Sequence, residues 1–363
     1  MTQLRLRAER RLLRTLTSIP DAVLRRLAGP PPINDRGTPL DPQIHALLRG
    51  VSLRGQPLDV HRADVGRQRA VFERDAPIAD LAKAPMHRVE DRYVPTHDGA
   101  AIKVRVYEPT PRGATPRPAC LYAHGGGFVL GSLESHDGVC RHLAAEADCV
   151  VVAVDYRLAP EHKFPGPSLD AVAAVRWIAA HAGDLGIDPA RIAVAGDSAG
   201  GNIAAVVALS ERGRAVAPCF QLLVYPVADF THSTESYRLF REGFLLTAAS
   251  MRWFKEHHLA DIARDERDPR GSILHADDVT GAAPAYIATA GFDPLRDEGE
   301  HYARKLEGAG VLVELAPAEG MIHGFFSMGG AVRAARAEID RAAGALSRAL
   351  RVSPDSRYDA ASF

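Results

Sequence analysis

The sequence predicts an α/β fold in which helices cover both faces of a mostly parallel sheet. From about residue 102, short apolar runs rich in β-forming residues alternate with helical stretches, as in repeated strand-helix units. The chain has 363 residues, 46% of them apolar and 25% charged. That composition is ordinary for a globular protein, and the length is enough to bury a large core. One large domain with an insertion therefore fits the chain better than two equal domains.

Seven runs have the length and composition of buried strands. They cover residues 103–107, 119–123, 149–154, 191–195, 219–225, 285–290 and 311–315. Between most of them lie predicted helices, for example over residues 170–181 and 199–211. This alternation predicts that the strands run mostly parallel and are joined by helices that pack on the sheet.

One long gap breaks the alternation. Between Tyr225 and Ala285 the chain has about 60 residues of helical, aromatic-bearing sequence without a convincing strand. A stretch of that length inside a compact domain usually has a function, so we predict a cap insertion at about residues 227–280. Four apolar side chains of this insertion are candidate substrate contacts: Phe244, Met251, Trp253 and Phe254.

The N-terminal residues 1–85 carry many prolines and charges but only short apolar clusters, so they have little core of their own. We predict that they form a helical segment that contributes to the cap, that residues 86–352 form the catalytic domain, and that residues 353–363 are a loose tail. Residues 1–28 combine seven arginines with two acidic residues and apolar residues four apart. This pattern predicts a basic amphipathic helix that either packs on the protein or contacts a membrane surface.

The charge balance argues against a nucleic-acid partner. Forty-four lysines and arginines stand against 45 acidic residues, a formal net charge of -1, so no overall field attracts nucleic acid. We expect a small, uncharged substrate. The four cysteines form no C-x-x-C pair and are predicted to be reduced packing residues. No secretory leader or membrane-spanning stretch is recognisable, so the expected location is cytoplasmic, and the expected assembly is a monomer or homodimer.

The strongest motif is G-x-S-x-G at Gly196-Asp-Ser198-Ala-Gly200. A predicted strand precedes it and a predicted helix follows it, which is the context in which the motif has a mechanism. A serine in a sharp turn between strand and helix is held out above the edge of the sheet, and the small residues on either side let the backbone turn that tightly. Ser198 is therefore the candidate nucleophile.

A glycine cluster, His124-Gly-Gly-Gly-Phe128, follows the predicted strand at residues 119–123. Acyl transfer places negative charge on the carbonyl oxygen of the substrate, and backbone N–H groups of glycines can be aimed at that charge. No phosphate-binding or dinucleotide-binding glycine motif is present, although a flexible surface turn remains an alternative. Phe128 is a further candidate substrate contact.

A serine hydroxyl needs a base to accept its proton, and the base needs a carboxylate to hold its tautomer. Among fifteen histidines, His323 is the candidate base because a short loop separates it from the strand at residues 311–315. Asp293 is the candidate carboxylate because it follows the strand at residues 285–290 and precedes Pro294. Asp297, four residues on, is its rival but belongs to the following helix. The chain order Ser198, Asp293, His323 is that of α/β-hydrolases.

These residues resemble the hormone-sensitive lipase-like family of α/β-hydrolases, in its bacterial esterase branch. The resemblance rests on five motifs in order over residues 124–325: His124 to Phe128, Asp155-Tyr-Arg-Leu-Ala-Pro-Glu161, Gly196 to Gly201, Asp293-Pro-Leu-Arg-Asp297 and His323-Gly-Phe325. It implies an α/β-hydrolase fold with a helical cap, a triad of Ser198, Asp293 and His323, and an oxyanion hole from the N–H groups of Gly126, Gly127 and Ala199.

The resemblance also implies hydrolysis of short- to medium-chain carboxylic esters without a cofactor. No cluster of His, Cys and Asp at metal-ligand spacing is found in the sequence, so no metal is expected. Two alternatives stay open. An amidase or N-deacetylase would use the same residues, because the acyl-enzyme step is shared. A ligand receptor of this fold would be expected to have lost a catalytic residue, whereas Ser198 and His323 are both present.

Overall fold

The computed structural model describes Thr15, residues 18–53 and residues 64–351. Within these ranges the chain forms eight strands, listed in chain order: β1 (Arg88–Pro95), β2 (Ala101–Glu108), β3 (Arg117–Ala123), β4 (Val150–Asp155), β5 (Ile187–Asp197), β6 (Phe220–Val224), β7 (Ala285–Phe292) and β8 (Val313–Ile322). They make one sheet in the order β1-β2-β4-β3-β5-β6-β7-β8. The pairings of β2 with β1 and with β4 are antiparallel, and all others are parallel. The predicted mostly parallel sheet is therefore confirmed.

The helices of the same ranges lie before, between and after the strands. In chain order they are α1 (Asp21–Ala28), α2 (Pro42–Leu53), α3 (Val65–Ala79), α4 (Asp137–Ala147), α5 (Gly166–Ala180), α6 (Ala182–Leu185), α7 (Ala199–Ser210), α8 (Glu235–Leu239), α9 (Ala248–His258), α10 (Ile262–Asp265), α11 (Arg296–Gly308) and α12 (Arg333–Arg351). Two short 3-10 turns cover Ile273–His275 and Phe325–Ser327. Over the described residues, no helix is both long and apolar enough to cross a bilayer.

Two hydrophobic clusters lie on the two faces of the sheet. One contains buried residues of α5, α7 and α11, and the other contains buried residues of α4 and α12. Strand β4 shows why: Val150, Val152 and Val154 belong to the first cluster, while Val151 and Ala153 belong to the second. Side chains of a strand alternate between faces, so a run of apolar residues marks a strand covered on both sides. All four cysteines are reduced thiols that lie buried in the second cluster, as expected.

Each predicted strand overlaps an observed one, with two departures at the ends of the sheet. Strand β1 was not predicted, because its sequence R-V-E-D-R-Y-V-P is charged and mostly solvent-exposed, as suits an edge strand. Strand β8 starts later than predicted and continues through Pro317 to Ile322, so it includes residues 319–322, for which the sequence predicts a loop. Proline is tolerated there because β8 is the other edge of the sheet, where one row of N–H groups needs no partner strand.

The stretch predicted as an insertion, residues 227–280, contains α8, α9, α10 and a 3-10 turn but no strand. Of the N-terminal segment, α1 packs on α2, and Asp21 of α1 pairs with Arg333 at the start of α12. Most of the basic helix predicted over residues 1–28 and the predicted tail at residues 353–363 lie outside the described residues. The membrane contact suggested for residues 1–28 stays a prediction.

Candidate active site

Three predicted site residues each follow directly after a strand of the sheet. Strand β5 ends at Asp197, β7 at Phe292 and β8 at Ile322, so Ser198, Asp293 and His323 are the next residues in the chain. These strands are parallel, so their carboxyl ends lie on the same edge of the sheet. Ligand sites of open α/β sheets lie at this edge. The fold thus brings together residues that are up to 125 positions apart.

Ser198 lies in a strained turn between β5 and α7. Its backbone has φ 57 and ψ -119, a conformation that side-chain-bearing residues rarely adopt. Hydrogen bonds hold it on both sides: the N–H donates to the carbonyl of Val224 at 2.9 Å, and the carbonyl accepts from Val227 at 3.2 Å. The hydroxyl is mostly buried, with 8% of the residue exposed. The turn therefore fixes the direction of the hydroxyl.

The glycines of the motif are required by close backbone approaches. A Cβ atom on Gly196 would clash with the backbone of Gly200, and one on Gly200 would clash with the carbonyl of Ala123 at the end of β3. Glycine alone lets the turn and the neighbouring strand end pack this closely. Alanine at position 200 would therefore push the turn away from the strand.

His323 connects Ser198 to Asp293. Its Nε2 lies 2.9 Å from the Ser198 hydroxyl oxygen, and its Nδ1 lies 2.8 Å from one carboxylate oxygen of Asp293. The other carboxylate oxygen accepts from the N–H of Leu295 at 2.9 Å, and Asp293 is fully buried. The ring of Tyr225 lies against the imidazole, with centroids 4.5 Å apart. A carboxylate oxygen accepts a hydrogen bond, so Nδ1 carries the proton and Nε2 faces the serine as the acceptor.

The rival carboxylate, Asp297, lies in the first turn of α11 and has other partners. It accepts from the N–H of Ser236 at 2.7 Å and from the guanidinium of Arg296 at 2.9 Å. The bond to Ser236 joins α11 to α8 of the insertion. The geometry brings Asp293, and not Asp297, to the imidazole of His323.

The glycine loop, residues 124–130, lies beside Ser198 and contains two N–H groups, those of Gly126 and Gly127, that are candidate donors to a substrate. The carbonyl of Gly125 accepts from Nδ1 of His124 at 2.8 Å, and the carbonyl of Gly126 accepts from Val129 and Leu130. In a trans peptide the C=O of one residue and the N–H of the next point in opposite directions. The N–H groups of Gly126 and Gly127 therefore point away from these bonds, and within the described ranges they have no acceptor.

A third N–H donor comes from Ala199, and His124 holds the glycine loop in place. The N–H of Ala199, at the start of α7, likewise has no acceptor within the described ranges, since the first N–H groups of a helix lie beyond its internal bonds. Burial lowers the pKa of His124 to about 3, so its imidazole is neutral and can hold the Gly125 carbonyl with a single proton. The glycine loop and the start of α7 together thus present three N–H groups beside the serine.

Asp197, the residue before the serine, fastens the glycine loop to the turn. Its carboxylate accepts from the Tyr122 hydroxyl at 2.7 Å and from the N–H of Gly125 at 3.0 Å, and Nε2 of His136 lies 3.4 Å away. Burial alone would raise the pKa of Asp197, but His136 and the hydrogen bonds outweigh it and the pKa is lowered. Asp197 is therefore a buried anion. Sequence reasoning did not identify His136, because its neighbours on the chain form no recognisable motif.

His136 carries a proton on both ring nitrogens. The Ser135 hydroxyl donates to the carbonyl of Ser132 at 2.9 Å, so it accepts from Nδ1 of His136 at 2.8 Å, while Nε2 faces Asp197. Burial opposes the charge, but the carboxylate of Asp197, helped by Asp80 and Glu73, raises the pKa of His136 above its ordinary value. A buried ion pair thus lies directly behind the nucleophile.

We expect His136→Gln to destabilise the protein by about 3 kcal/mol near neutral pH, because it leaves Asp197 as an unpaired buried anion. The pKa of His136 is raised in the folded state, so its stabilising effect is complete below the unfolded value and is lost as pH rises through the folded value. Asp80 and Glu73 add negative charge near His136, and His124, whose ring lies 5.5 Å from the His136 ring, is neutral. The difference in urea unfolding free energy between wild type and variant should therefore shrink at alkaline pH. A difference that is constant with pH would contradict the ion pair.

A cavity of about 760 Å³ opens at the serine. Three of the predicted substrate contacts, Phe128, Met251 and Phe254, line it together with Ser198 and His323. The other two do not, and the prediction is corrected for them. Phe244 packs against Phe240 and Phe292, with ring centroids 5.8 and 5.1 Å away. Trp253 points from α9 into a small buried cluster behind the glycine loop. Successive residues of a helix face different directions, so aromatic content alone could not separate Trp253 from Phe254.

The N-terminal segment supplies a wall that the sequence did not assign residue by residue. Helix α3 lines the cavity with seven residues: Arg67, Gln68, Val71, Phe72, Asp75, Ala76 and Ala79. Helix α9 lines the same cavity with residues that include Ser250, Met251 and Phe254. The cavity therefore lies between the N-terminal segment, the insertion and the edge of the sheet.

Comparisons with known proteins agree with this architecture. Residues 120–327 match the family described as alpha/beta hydrolase fold. Over 338 residues the chain is 40% identical to the carboxylic ester hydrolase LipN of Mycobacterium tuberculosis, covering 90% of this chain and 88% of the relative. It is also 40% identical to an ethyl acetate hydrolase of Pseudomonas putida, with 82% and 95% covered. Among solved structures, a Pyrobaculum calidifontis esterase superposes with a TM-score of 0.79 at 40% identity, covering 85% of this chain and 98% of that one.

Proposed function

We propose that this chain, which belongs to the hormone-sensitive lipase-like family of α/β-hydrolases and is a carboxylic ester hydrolase, uses Ser198, His323 and Asp293 as its catalytic triad. The observation that carries the proposal is the continuous chain of hydrogen bonds from the Ser198 hydroxyl through His323 to Asp293. These are the roles of nucleophile, base and orienting carboxylate in serine hydrolases generally. The predicted enzyme class is confirmed by the relatives, while the roles of the residues are our assignment.

The reaction begins with attack of the Ser198 oxygen on the ester carbonyl carbon, as its proton passes to Nε2 of His323. The tetrahedral intermediate collapses, the alcohol leaves with the proton that His323 returns, and an acyl-enzyme remains. Water then attacks the acyl carbon and gives a proton to His323. His323 returns this proton to the Ser198 oxygen as the acid is released, which restores the free serine. Asp293 stabilises the imidazolium in both halves because its buried carboxylate faces Nδ1.

The oxyanion hole is assigned to the N–H groups of Gly126, Gly127 and Ala199. Support comes from their lack of acceptors within the described ranges and from the bonds that turn the Gly125 and Gly126 carbonyls away. Donors that are already oriented lose no energy in rearranging when the negative charge develops. The same donors would serve both tetrahedral intermediates.

The cap is assigned to two segments, the N-terminal residues that include α3 and the insertion that includes α9. Support comes from their side chains, which line the same cavity as Ser198. A covered cavity excludes bulk water from the serine and selects the shape of the substrate. The substrate class assigned to it is small esters with short to medium acyl chains.

The mechanism can be tested by covalent labelling. A fluorophosphonate probe transfers its phosphonyl group to an activated serine and releases fluoride. We expect one probe per chain, and peptide mapping by mass spectrometry should locate it on Ser198. Labelling of another residue, or a lack of labelling in active protein, would exclude the proposed nucleophile.

Chain-length selection tests the assigned substrate class. Phe128, Met251 and Phe254 offer apolar surface, and each buried methylene contributes roughly 0.8 kcal/mol, which is about fourfold in kcat/KM. With p-nitrophenyl esters of increasing acyl length, kcat/KM should rise until the cavity is filled and then fall. Met251→Trp, which fills part of the cavity, should move the maximum to shorter chains. An unchanged maximum in this variant would place the acyl chain elsewhere.

A further inference from the structure

We propose that Arg69 on helix α3 is a positioning residue for the oxyanion hole, so that the cap holds the catalytic donors in place as well as covering the substrate. The inference deepens the proposed function and rests on it, since it presupposes that Gly126 and Gly127 donate to the oxyanion. It concerns a contact between the N-terminal segment and the carbonyl of Val129 in the glycine loop.

Arg69 reaches from α3 to two backbone carbonyls and one carboxylate. Its Nε donates to the carbonyl of Val129 at 2.9 Å, and its Nη2 donates to the carbonyl of Ala159 at 2.8 Å. The two Nη atoms also bind both oxygens of Glu161, at 2.8 and 2.7 Å. A planar guanidinium that is bonded in three directions has little freedom to move. Arg69 therefore fixes the position of Val129 relative to residues 159–161.

Val129 is coupled directly to the proposed donors. Its N–H and that of Leu130 both donate to the carbonyl of Gly126, which sets the direction of the Gly126–Gly127 peptide. The N–H of Ala159 donates to the carbonyl of Phe128 at 2.9 Å. Arg69 thus binds the carbonyls of two residues whose N–H groups hold the glycine loop. A shift of Val129 would rotate the Gly126–Gly127 peptide and turn the Gly127 N–H away from the proposed oxyanion site.

Apolar contacts from both cap segments support the same loop. Val129, Leu130 and Trp253 form a small buried cluster, against which Val65 and Phe72 of α3 pack. On the cavity side, the ring of Phe254 lies so close to Gly127 that a Cβ atom there would clash with it. The loop is therefore held between α3 and α9, which explains why Trp253 is buried away from the cavity.

The loop needs this support because its backbone is unusual. Gly126, Gly127 and Phe128 all have positive φ, at 119, 60 and 65. Phe128 carries a side chain, so its conformation is strained and persists only where surrounding contacts impose it. Loss of the Arg69 contacts would let the loop relax, and a displacement of the order of 1 Å in a catalytic group can cost about 100-fold in rate.

The test compares Arg69→Met, which keeps the aliphatic stem, with Arg69→Lys and Glu161→Gln. We expect Arg69→Met to lower kcat/KM for a p-nitrophenyl ester about 10- to 100-fold, mostly through kcat. Arg69→Lys should recover part of the loss because its ammonium can still reach one carbonyl. Glu161→Gln should stay within about threefold, because Arg69 keeps both carbonyl bonds. Arg176→Met is the matched control, since Arg176 also binds a glutamate, Glu211, through two nitrogens but on another part of the protein.

A trifluoromethyl ketone inhibitor separates positioning from general damage. Ser198 adds to its carbonyl carbon, His323 takes the serine proton, and the oxygen becomes an anion in the oxyanion hole. Arg69→Met should weaken this inhibition by the same factor as kcat/KM, while inhibition by the matching methyl ketone, which binds without addition, stays unchanged. Arg176→Met should lower the melting temperature and leave both inhibition constants at wild-type values.

The outcomes distinguish this inference from the proposed function. If the wild type is not inhibited by the trifluoromethyl ketone, the Ser198 mechanism itself is wrong. If the wild type is inhibited and Arg69→Met retains wild-type kcat and trifluoromethyl ketone affinity, Arg69 has no positioning role and the inference is overturned. A loss in Arg69→Met that Arg176→Met reproduces, in step with the fall in melting temperature, would overturn it as well.

Discussion

Ser198→Ala is expected to abolish fluorophosphonate labelling and to lower kcat for ester hydrolysis by about 10⁵- to 10⁶-fold, the scale seen when a triad serine is removed from another hydrolase. The reason is that the oxygen which forms the acyl-enzyme is gone, while His323 and the N–H donors of the glycine loop remain. The residual rate should come from those groups acting on water. The measurement is kcat with a p-nitrophenyl ester, together with probe labelling followed by mass spectrometry.

The matched control is Ser210→Ala at the other end of the same helix. The Ser210 hydroxyl donates to the carbonyl of Val206 at 2.8 Å, within its own helix and far along the chain from the turn. This variant should keep wild-type kcat and full labelling. A Ser198→Ala protein that is folded by circular dichroism yet hydrolyses the ester at more than about 1% of the wild-type rate would refute the nucleophile assignment.

Residues that sequence could assign are those defined by their immediate neighbours on the chain. Ser198 lies between an apolar strand and an apolar helix, with glycines at the two positions where the backbone approaches its neighbours. Asp293 follows a fully buried strand and precedes a proline. In both cases the local signal is complete, because the turn is built from consecutive residues.

Residues that sequence did not assign act across long separations. Arg69 lies 60 and 90 positions from the carbonyls it binds, and His136 lies 61 positions from Asp197. One arginine among many on a charged helix, or one histidine among fifteen, has no local pattern that marks its partner. Such contacts depend on how α3 and α4 pack on the glycine loop, which only the folded structure specifies.

The sequence also did not predict one edge strand of the sheet or the directions of the side chains in the insertion. Strand β1 is charged because its outer edge meets solvent, so it lacks the apolar pattern by which strands are recognised. In the insertion, the sequence could indicate apolar side chains but not their directions. Met251 and Phe254 face the cavity, whereas Phe244 packs on Phe292 at the end of β7.

Replacement of Asp293, the carboxylate bonded to His323, is the second change with a large expected effect. Asp293→Asn should lower kcat by about 10⁴-fold, as for the equivalent change in another triad enzyme. The Leu295 N–H donates to one Asp293 oxygen at 2.9 Å, and in the variant it holds the amide oxygen on that side. The amide nitrogen must then face Nδ1 of His323 and donate to it. That moves the imidazole proton to Nε2, where it blocks acceptance of the Ser198 proton.

Asp297→Asn is the control variant that shows whether the loss of kcat is specific to Asp293. Asp297 accepts from the Ser236 N–H and from Arg296, so its loss should loosen the contact between α11 and α8 and lower the melting temperature. It leaves the tautomer of His323 unaltered, and kcat should fall by less than about tenfold. KM should change little in either variant, since neither side chain lines the cavity. Equal losses of kcat in the two variants would mean that the imidazole takes its orientation from a group other than Asp293, and the proposed triad would then have the wrong acid.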